Sequence, residues 1–83
     1  MNNKDRFFPQ YRKLVNEKAY YKIIDARNFE EIQLIGSTKK MFKISATKYP
    51  EILKIDDMIN LTVEYYLQSS EKEWNELIFL IRS

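Results

Sequence analysis

The sequence predicts an α+β fold in which a small antiparallel sheet is covered by two or three helices. The chain has 83 residues, which is enough for one domain. Some segments alternate apolar and polar residues, as half-buried strands do, and others repeat apolar residues every three or four positions, as helices do. We expect residues 1–10 to form a peripheral N-terminal segment and residues 11–83 to form a single small globular domain.

Three segments are predicted to be the strands of the sheet. Residues 19–24 are rich in aromatic and β-branched side chains, which favour strands. Residues 40–47 and residues 61–67 alternate apolar and polar side chains, so each presents one face to a core.

Two helices are predicted over residues 50–59 and 70–82, because each segment begins with a start signal. Pro50 suits the first helical position of the earlier one. Ser70 and Glu73 have the spacing of a capping box at the start of the later one. Behind Ser70, apolar residues recur at helical spacing on one face: Trp74, Leu77, Ile78 and Ile81.

A third helix is predicted over residues 26–35. Asp25 is a good N-cap, and Gly36 lies where a helix would stop. When the sequence is aligned with itself at an offset of 45 residues, Asp25 aligns with Ser70. This internal similarity suggests two strand–cap–helix units of similar geometry. A strand over residues 29–35 stays open as an alternative, because apolar and polar residues also alternate there.

The alternative fold is an all-β, OB-like barrel of five strands, with one helix between the third and the fourth. In that fold the apolar run near the end of the chain is a buried strand instead of a helix. Its strands are residues 19–25, 29–35, 40–47, 58–67 and 73–82.

The composition excludes several classes of active site. The chain has no cysteine and no histidine, which excludes disulfides, cysteine nucleophiles and Ser–His catalysis. Its single glycine excludes glycine-rich phosphate loops and dinucleotide-binding motifs. The adjacent acids Asp56 and Asp57 diverge on a helix and do not converge on one metal ion. We therefore expect no enzymatic activity, no catalytic residue, no cofactor and no metal.

Basic residues are concentrated in the first part of the chain. Residues 1–48 carry 11 basic and 5 acidic side chains, whereas residues 49–83 carry 3 basic and 7 acidic ones. The opposite charges suggest halves that face each other, within one chain or between two copies, and they also suit a basic binding face. Aromatic residues lie among the basic ones, as in single-strand nucleic-acid binders. The predicted binding face consists of Arg12, Lys13, Tyr21, Lys22, Lys39, Lys40 and Lys43.

Residues 46–59 read ATKYPEILKIDDMI. Together with Phe29-Glu30-Glu31-Ile32 before it and Glu73-Trp74 after it, this segment resembles segments of small uncharacterised bacterial proteins with the pattern Y-P-E-x-L-x-I-x-D-M-I. The resemblance covers most of residues 20–78 and implies no functional residue.

Three functions fit these observations. The first is a small non-enzymatic module that binds a protein partner or a second copy of itself. The alternatives are a single-stranded nucleic-acid binder on the OB-like barrel and a small inhibitor or accessory protein of a mobile element. No apolar run approaches the ~20 residues of a membrane helix, so we expect no membrane partner and a cytoplasmic location.

Overall fold

The computed structural model describes residues 7–82, and within them five strands form one open antiparallel sheet with two helices. The elements in chain order are β1 (Gln10–Leu14), β2 (Ala19–Ile23), β3 (Asn28–Ile35), β4 (Thr38–Ser45), α1 (Tyr49–Asn60), β5 (Tyr66–Gln68) and α2 (Glu71–Arg82). The strands lie in the order β4-β3-β2-β1-β5. The predicted α+β class is confirmed, and the barrel alternative is wrong because the sheet does not close.

One helix covers each face of the sheet. Neighbouring residues of a strand point to opposite faces, and Tyr20 and Tyr21 of β2 show this directly. Tyr21 packs in the same core cluster as Ile55 and Met58 of α1. Tyr20 packs in a second cluster with Trp74 of α2. We call the two sides of the sheet the α1 face and the α2 face.

The predicted helix over residues 26–35 is wrong, because this segment is strand β3 and the residues at its ends form turns. The Asp25 carboxylate accepts a hydrogen bond from the Arg27 N–H at 2.8 Å, which closes the turn between β2 and β3. Gly36 has a φ of 60° and begins a two-residue loop after β3. Glycine at the first position of such a loop is typical of a type II′ hairpin turn.

Helices α1 and α2 confirm the helices predicted over residues 50–59 and 70–82. The Ser70 hydroxyl accepts a hydrogen bond from the Glu73 N–H at 3.1 Å, as an N-cap does. Since Asp25 caps no helix, the 45-residue repeat does not correspond to two equivalent strand–cap–helix units.

Strands β2 and β4 confirm the strands predicted near residues 19–24 and 40–47, but the strand over 61–67 is largely wrong. Leu61 ends α1 with a left-handed φ of 53°, and the short strand β5 begins at Tyr66. Strand β1 was not predicted, and it lies between β2 and β5. Residues 1–6, most of the expected peripheral segment, lie outside the described residues, while Phe8 packs against the core of the α1 face.

Candidate functional site

Arg12, the first residue of the predicted binding face, lies beneath the end of α1 with 8% of its surface exposed. Its Nε donates to the Met58 carbonyl at 2.7 Å, and its Nη2 donates to the Ile59 carbonyl at 3.1 Å. Nη1 and Nη2 also donate to the Tyr11 carbonyl and the Gln10 side chain. Burial lowers the pKa of the guanidinium. The last turn of α1 has no basic residue of its own, so Arg12 complements the negative end of that helix dipole.

Tyr21 is also buried, with 3% of its surface exposed. The centroids of its neighbouring rings, Phe29 and Tyr66, are 6.2 and 5.8 Å from its own. Burial raises the pKa of its hydroxyl well above the usual range for tyrosine. The ring therefore belongs to the core and has no open face on which a base could stack.

Lys13, on the α2 face of the sheet, links β1 to the turn that follows this strand and to helix α2. Its Nζ lies 2.9 Å from a Glu17 carboxylate oxygen and 3.1 Å from a Glu73 carboxylate oxygen. The hydrogen bond to Glu17, followed by the one to Glu73, raises the pKa of Lys13. Two carboxylates thus offset the charge of this lysine.

The remaining four residues of the predicted face are lysines around β4. Lys22 and Lys43 each pair with Glu30 across the sheet, so these three side chains form one row on the α2 face. Lys39 lies on the same face of β4, four residues before Lys43, and Lys40 lies on the α1 face. The structure therefore brings Lys22 and Lys43 into one row and places Lys39 further along β4, whereas Arg12, Lys13 and Tyr21 are held by structural contacts of their own.

Backbone hydrogen bonds show which side of β4 faces away from the sheet. The Leu34 N–H donates to the Lys18 carbonyl, and the Asn28 carbonyl accepts from the Ile24 N–H, both at 2.9 Å. Even-numbered residues of β3 therefore bond on the β2 side, and odd-numbered ones bond to β4. In the register of this hairpin, odd-numbered residues of β3 face even-numbered residues of β4.

It follows that the odd-numbered residues of β4, which include Lys39, Met41 and Lys43, direct their N–H and C=O groups outward. No strand in the described part of the chain pairs with that side of β4. Seven of the eight residues of β4 are exposed, and the eighth is half-buried. The strand at the opposite edge, β5, has three residues. We call this outer side of β4 the β4 edge.

A groove of about 450 Å³ lies on the α2 face beside the β4 edge, between the hairpin of β3 and β4 and helix α2. Its apolar lining includes Met41 and Ile78. Its charged lining consists of three cations and one carboxylate: Lys22, Lys43, Arg82 and Glu30. The groove therefore has an excess of positive charge next to an open strand edge.

A second exposed patch lies on the outer surface of α2. Phe79 and Leu80 are 72% and 53% exposed there, beside Lys72 and Glu76. The charges of this patch balance, in contrast to those around β4. Neither helix within residues 7–82 is long and apolar enough to span a membrane. In the same residues no three acidic side chains are grouped to hold a metal ion.

Met41, Phe42 and Arg82 are not among the site residues predicted from the sequence. Met41 and Phe42 are 37% and 42% exposed on opposite faces of β4. The sequence held a usable signal for this exposure, because the two apolar residues are adjacent in a predicted strand. Neighbouring residues of a strand point to opposite faces, so a core on one face can bury only one of them. No sequence pattern indicated Arg82, because this residue lines the groove only as a result of how α2 packs on the sheet. Comparisons of the chain with protein families, curated proteins and solved structures find no match.

Proposed function

We propose that this chain is a small non-enzymatic protein-interaction module, which binds an extended segment of a partner protein by strand addition to the β4 edge. The observation that carries the proposal is a strand of eight residues, seven of them exposed, whose outer side pairs with no strand among residues 7–82. In strand addition, main-chain hydrogen bonds supply affinity and side chains at alternate positions supply specificity. A cytoplasmic location stays part of the proposal.

The lysines of β4 favour a different protein as the partner over a second copy of this chain. Pairing of two β4 edges would bring Lys39, Lys40 and Lys43 from both copies into one interface. Like charges on neighbouring strands destabilise pairing, and lysine on an edge strand is a common protection against self-association. The same lysines attract a segment that carries acidic side chains.

The ring that lines the groove favours a protein partner over single-stranded nucleic acid, because Trp74 is 3% exposed there. Base stacking needs exposed rings in a positive groove. Tyr20 and Tyr21, which lie next to Lys22 in the sequence, are 9% and 3% exposed and fill the two cores. The β4 edge offers outward backbone N–H and C=O groups instead, and such groups bind another extended backbone.

Selection from a displayed library of random ten-residue peptides, followed by a backbone substitution, tests this proposal. Met41→Pro removes an outward N–H that bonds nothing within the sheet, and proline is tolerated on an edge strand when its missing N–H faces outward. Met41→Ala is the matched control, since it shortens the same side chain and keeps the N–H. We expect selected peptides to bind the wild type and Met41→Ala but not a folded Met41→Pro. Equal binding by the two variants would contradict strand addition.

A further inference from the structure

We infer that the segment recognised at the β4 edge is acidic in a defined order, with glutamate or aspartate opposite each of the three lysines and apolar side chains opposite Met41 and Phe42. This inference rests on the proposed function and adds the chemistry of the partner to it. The partner is a peptide segment, because only an extended backbone paired with β4 places one side chain opposite each residue of that strand.

The α2 face selects acidic residues at two positions of the added strand. A residue paired with Lys43 would lie beside the groove, where Lys22, Lys43 and Arg82 outnumber the single carboxylate of Glu30. A residue paired with Lys39 would lie on the same face, next to a lysine that is exposed. Directly opposed side chains of opposite charge stabilise a strand pair, and like charges destabilise it.

Between these two positions, Met41 selects an apolar residue. Met41 points to the α2 face, as Lys39 and Lys43 do, and it lines the groove with Ile78. Its side chain is 37% exposed, so a partner strand could bury the remaining surface. Burial of apolar surface contributes to affinity roughly in proportion to its area.

The α1 face selects the two intervening residues. Lys40 and Phe42 point to this face, and both are exposed. A carboxylate opposite Lys40 and an aromatic ring opposite Phe42 would make a charge pair and an aromatic pair, both of which are favourable across strands. The residue types favoured on the added strand therefore differ between its two faces.

Taken along an antiparallel partner from the position opposite Lys43 to the position opposite Lys39, these requirements give the order acidic, aromatic, apolar, acidic, acidic. The peptide Ser-Thr-Glu-Phe-Leu-Glu-Glu-Thr-Ser has this order and serves as the probe. A control peptide with the central order Phe-Glu-Glu-Glu-Leu has the same composition and charge but places glutamate opposite Met41 and Phe42.

Fluorescence anisotropy of the two labelled peptides with the full chain tests the inference. We expect the probe to bind at least about tenfold more tightly than the control peptide, because several opposed pairs are lost together. Replacement of one glutamate of the probe by glutamine should weaken binding by about 1.5- to 5-fold. A charge exchange gives the sharpest result: Lys43→Glu should weaken binding of the probe, and lysine at the facing peptide position should restore it.

The outcomes separate the inference from the proposed function. Peptides that bind regardless of their charge or order, and that lose binding in Met41→Pro, overturn the acidic order and leave strand addition intact. Binding of the probe that persists in a folded Met41→Pro overturns strand addition, and with it the inference. Tighter binding of a single-stranded oligonucleotide of thymidines than of the probe, with no effect of Met41→Pro, would assign the basic surface to nucleic acid instead.

Discussion

Substitution of Arg12 by alanine should destabilise the fold, although the sequence suggested a role for this residue in binding. The guanidinium makes four hydrogen bonds, and two of them join β1 to the last carbonyls of α1. No carboxylate lies among these partners. In Arg12→Ala the carbonyls of Met58 and Ile59 lose this donor, and both residues are buried.

The size of the loss follows from those contacts. An unsatisfied buried acceptor costs about 1–3 kcal/mol, so two carbonyls and the lost side-chain packing give about 3–5 kcal/mol for Arg12→Ala. At about 0.05–0.15 kcal/mol per residue, the whole chain has roughly 4–12 kcal/mol of stability, so this variant keeps only part of it. Arg12→Lys keeps the charge but offers no planar fork to reach both carbonyls, and we expect it to lose about 1–3 kcal/mol.

Urea denaturation, monitored by far-ultraviolet circular dichroism, measures this loss in the free energy of unfolding. The matched control is Lys40→Ala, which removes an exposed lysine from the same face of the sheet and should change the free energy of unfolding by less than about 0.5 kcal/mol. An Arg12→Ala variant as stable as Lys40→Ala would refute the structural role assigned to the guanidinium.

Three further predictions concern stability and its dependence on pH. Trp74→Ala should lower the free energy of unfolding by about 3–5 kcal/mol, because its ring is 3% exposed; Phe79→Ala, on the exposed side of the same helix, should change it by less than about 0.5 kcal/mol in the same urea experiment. Burial raises the pKa of Tyr66 to about 12, so the folded state holds this proton more tightly than the unfolded state does. Stability should therefore fall between about pH 10 and pH 12, by up to about 1.4 kcal/mol per pH unit for this tyrosine, and Tyr66→Phe should show a smaller fall; equal pH profiles for both proteins would contradict this. Ser70→Ala should lower the free energy of unfolding by about 1 kcal/mol through loss of the N-cap of α2, and Asp25→Ala should leave helix content by circular dichroism unchanged.

The helices were predictable because their signals are local. The start of α2 depends on Ser70 and on residues within one turn of it. Strand β3 was misassigned because Asp25 and Gly36 serve two local structures equally well. Aspartate accepts backbone N–H groups both in helix caps and in turns, and glycine at positive φ ends helices as well as hairpin loops. The dipeptide Gly36-Ser37 between two alternating segments was the signal that favoured the hairpin.

Strand β1 and the role of Arg12 were not predictable from local patterns. The strand lies inside the sheet yet carries Arg12 and Lys13 at its centre, where apolar residues would be expected. The partners that satisfy Arg12 are 46 and 47 residues away in the sequence, so only the packing of α1 reveals them. For the same reason the sequence could identify the lysines of β4 as a basic cluster but could not separate them from the structural residues at β1 and β2.

Amide hydrogen exchange by NMR gives the most direct observation of partner binding at the β4 edge. It would be measured on the free chain and on its complex with the tightest peptide from the library selection. In the free chain, we expect the outward N–H groups of Lys39, Met41 and Lys43 to exchange quickly and the inward ones of Lys40 and Phe42 to be protected. Peptide binding should protect the three outward groups and leave the two inward ones nearly unchanged. Outward groups that exchange equally fast with and without bound peptide would contradict strand addition at this edge.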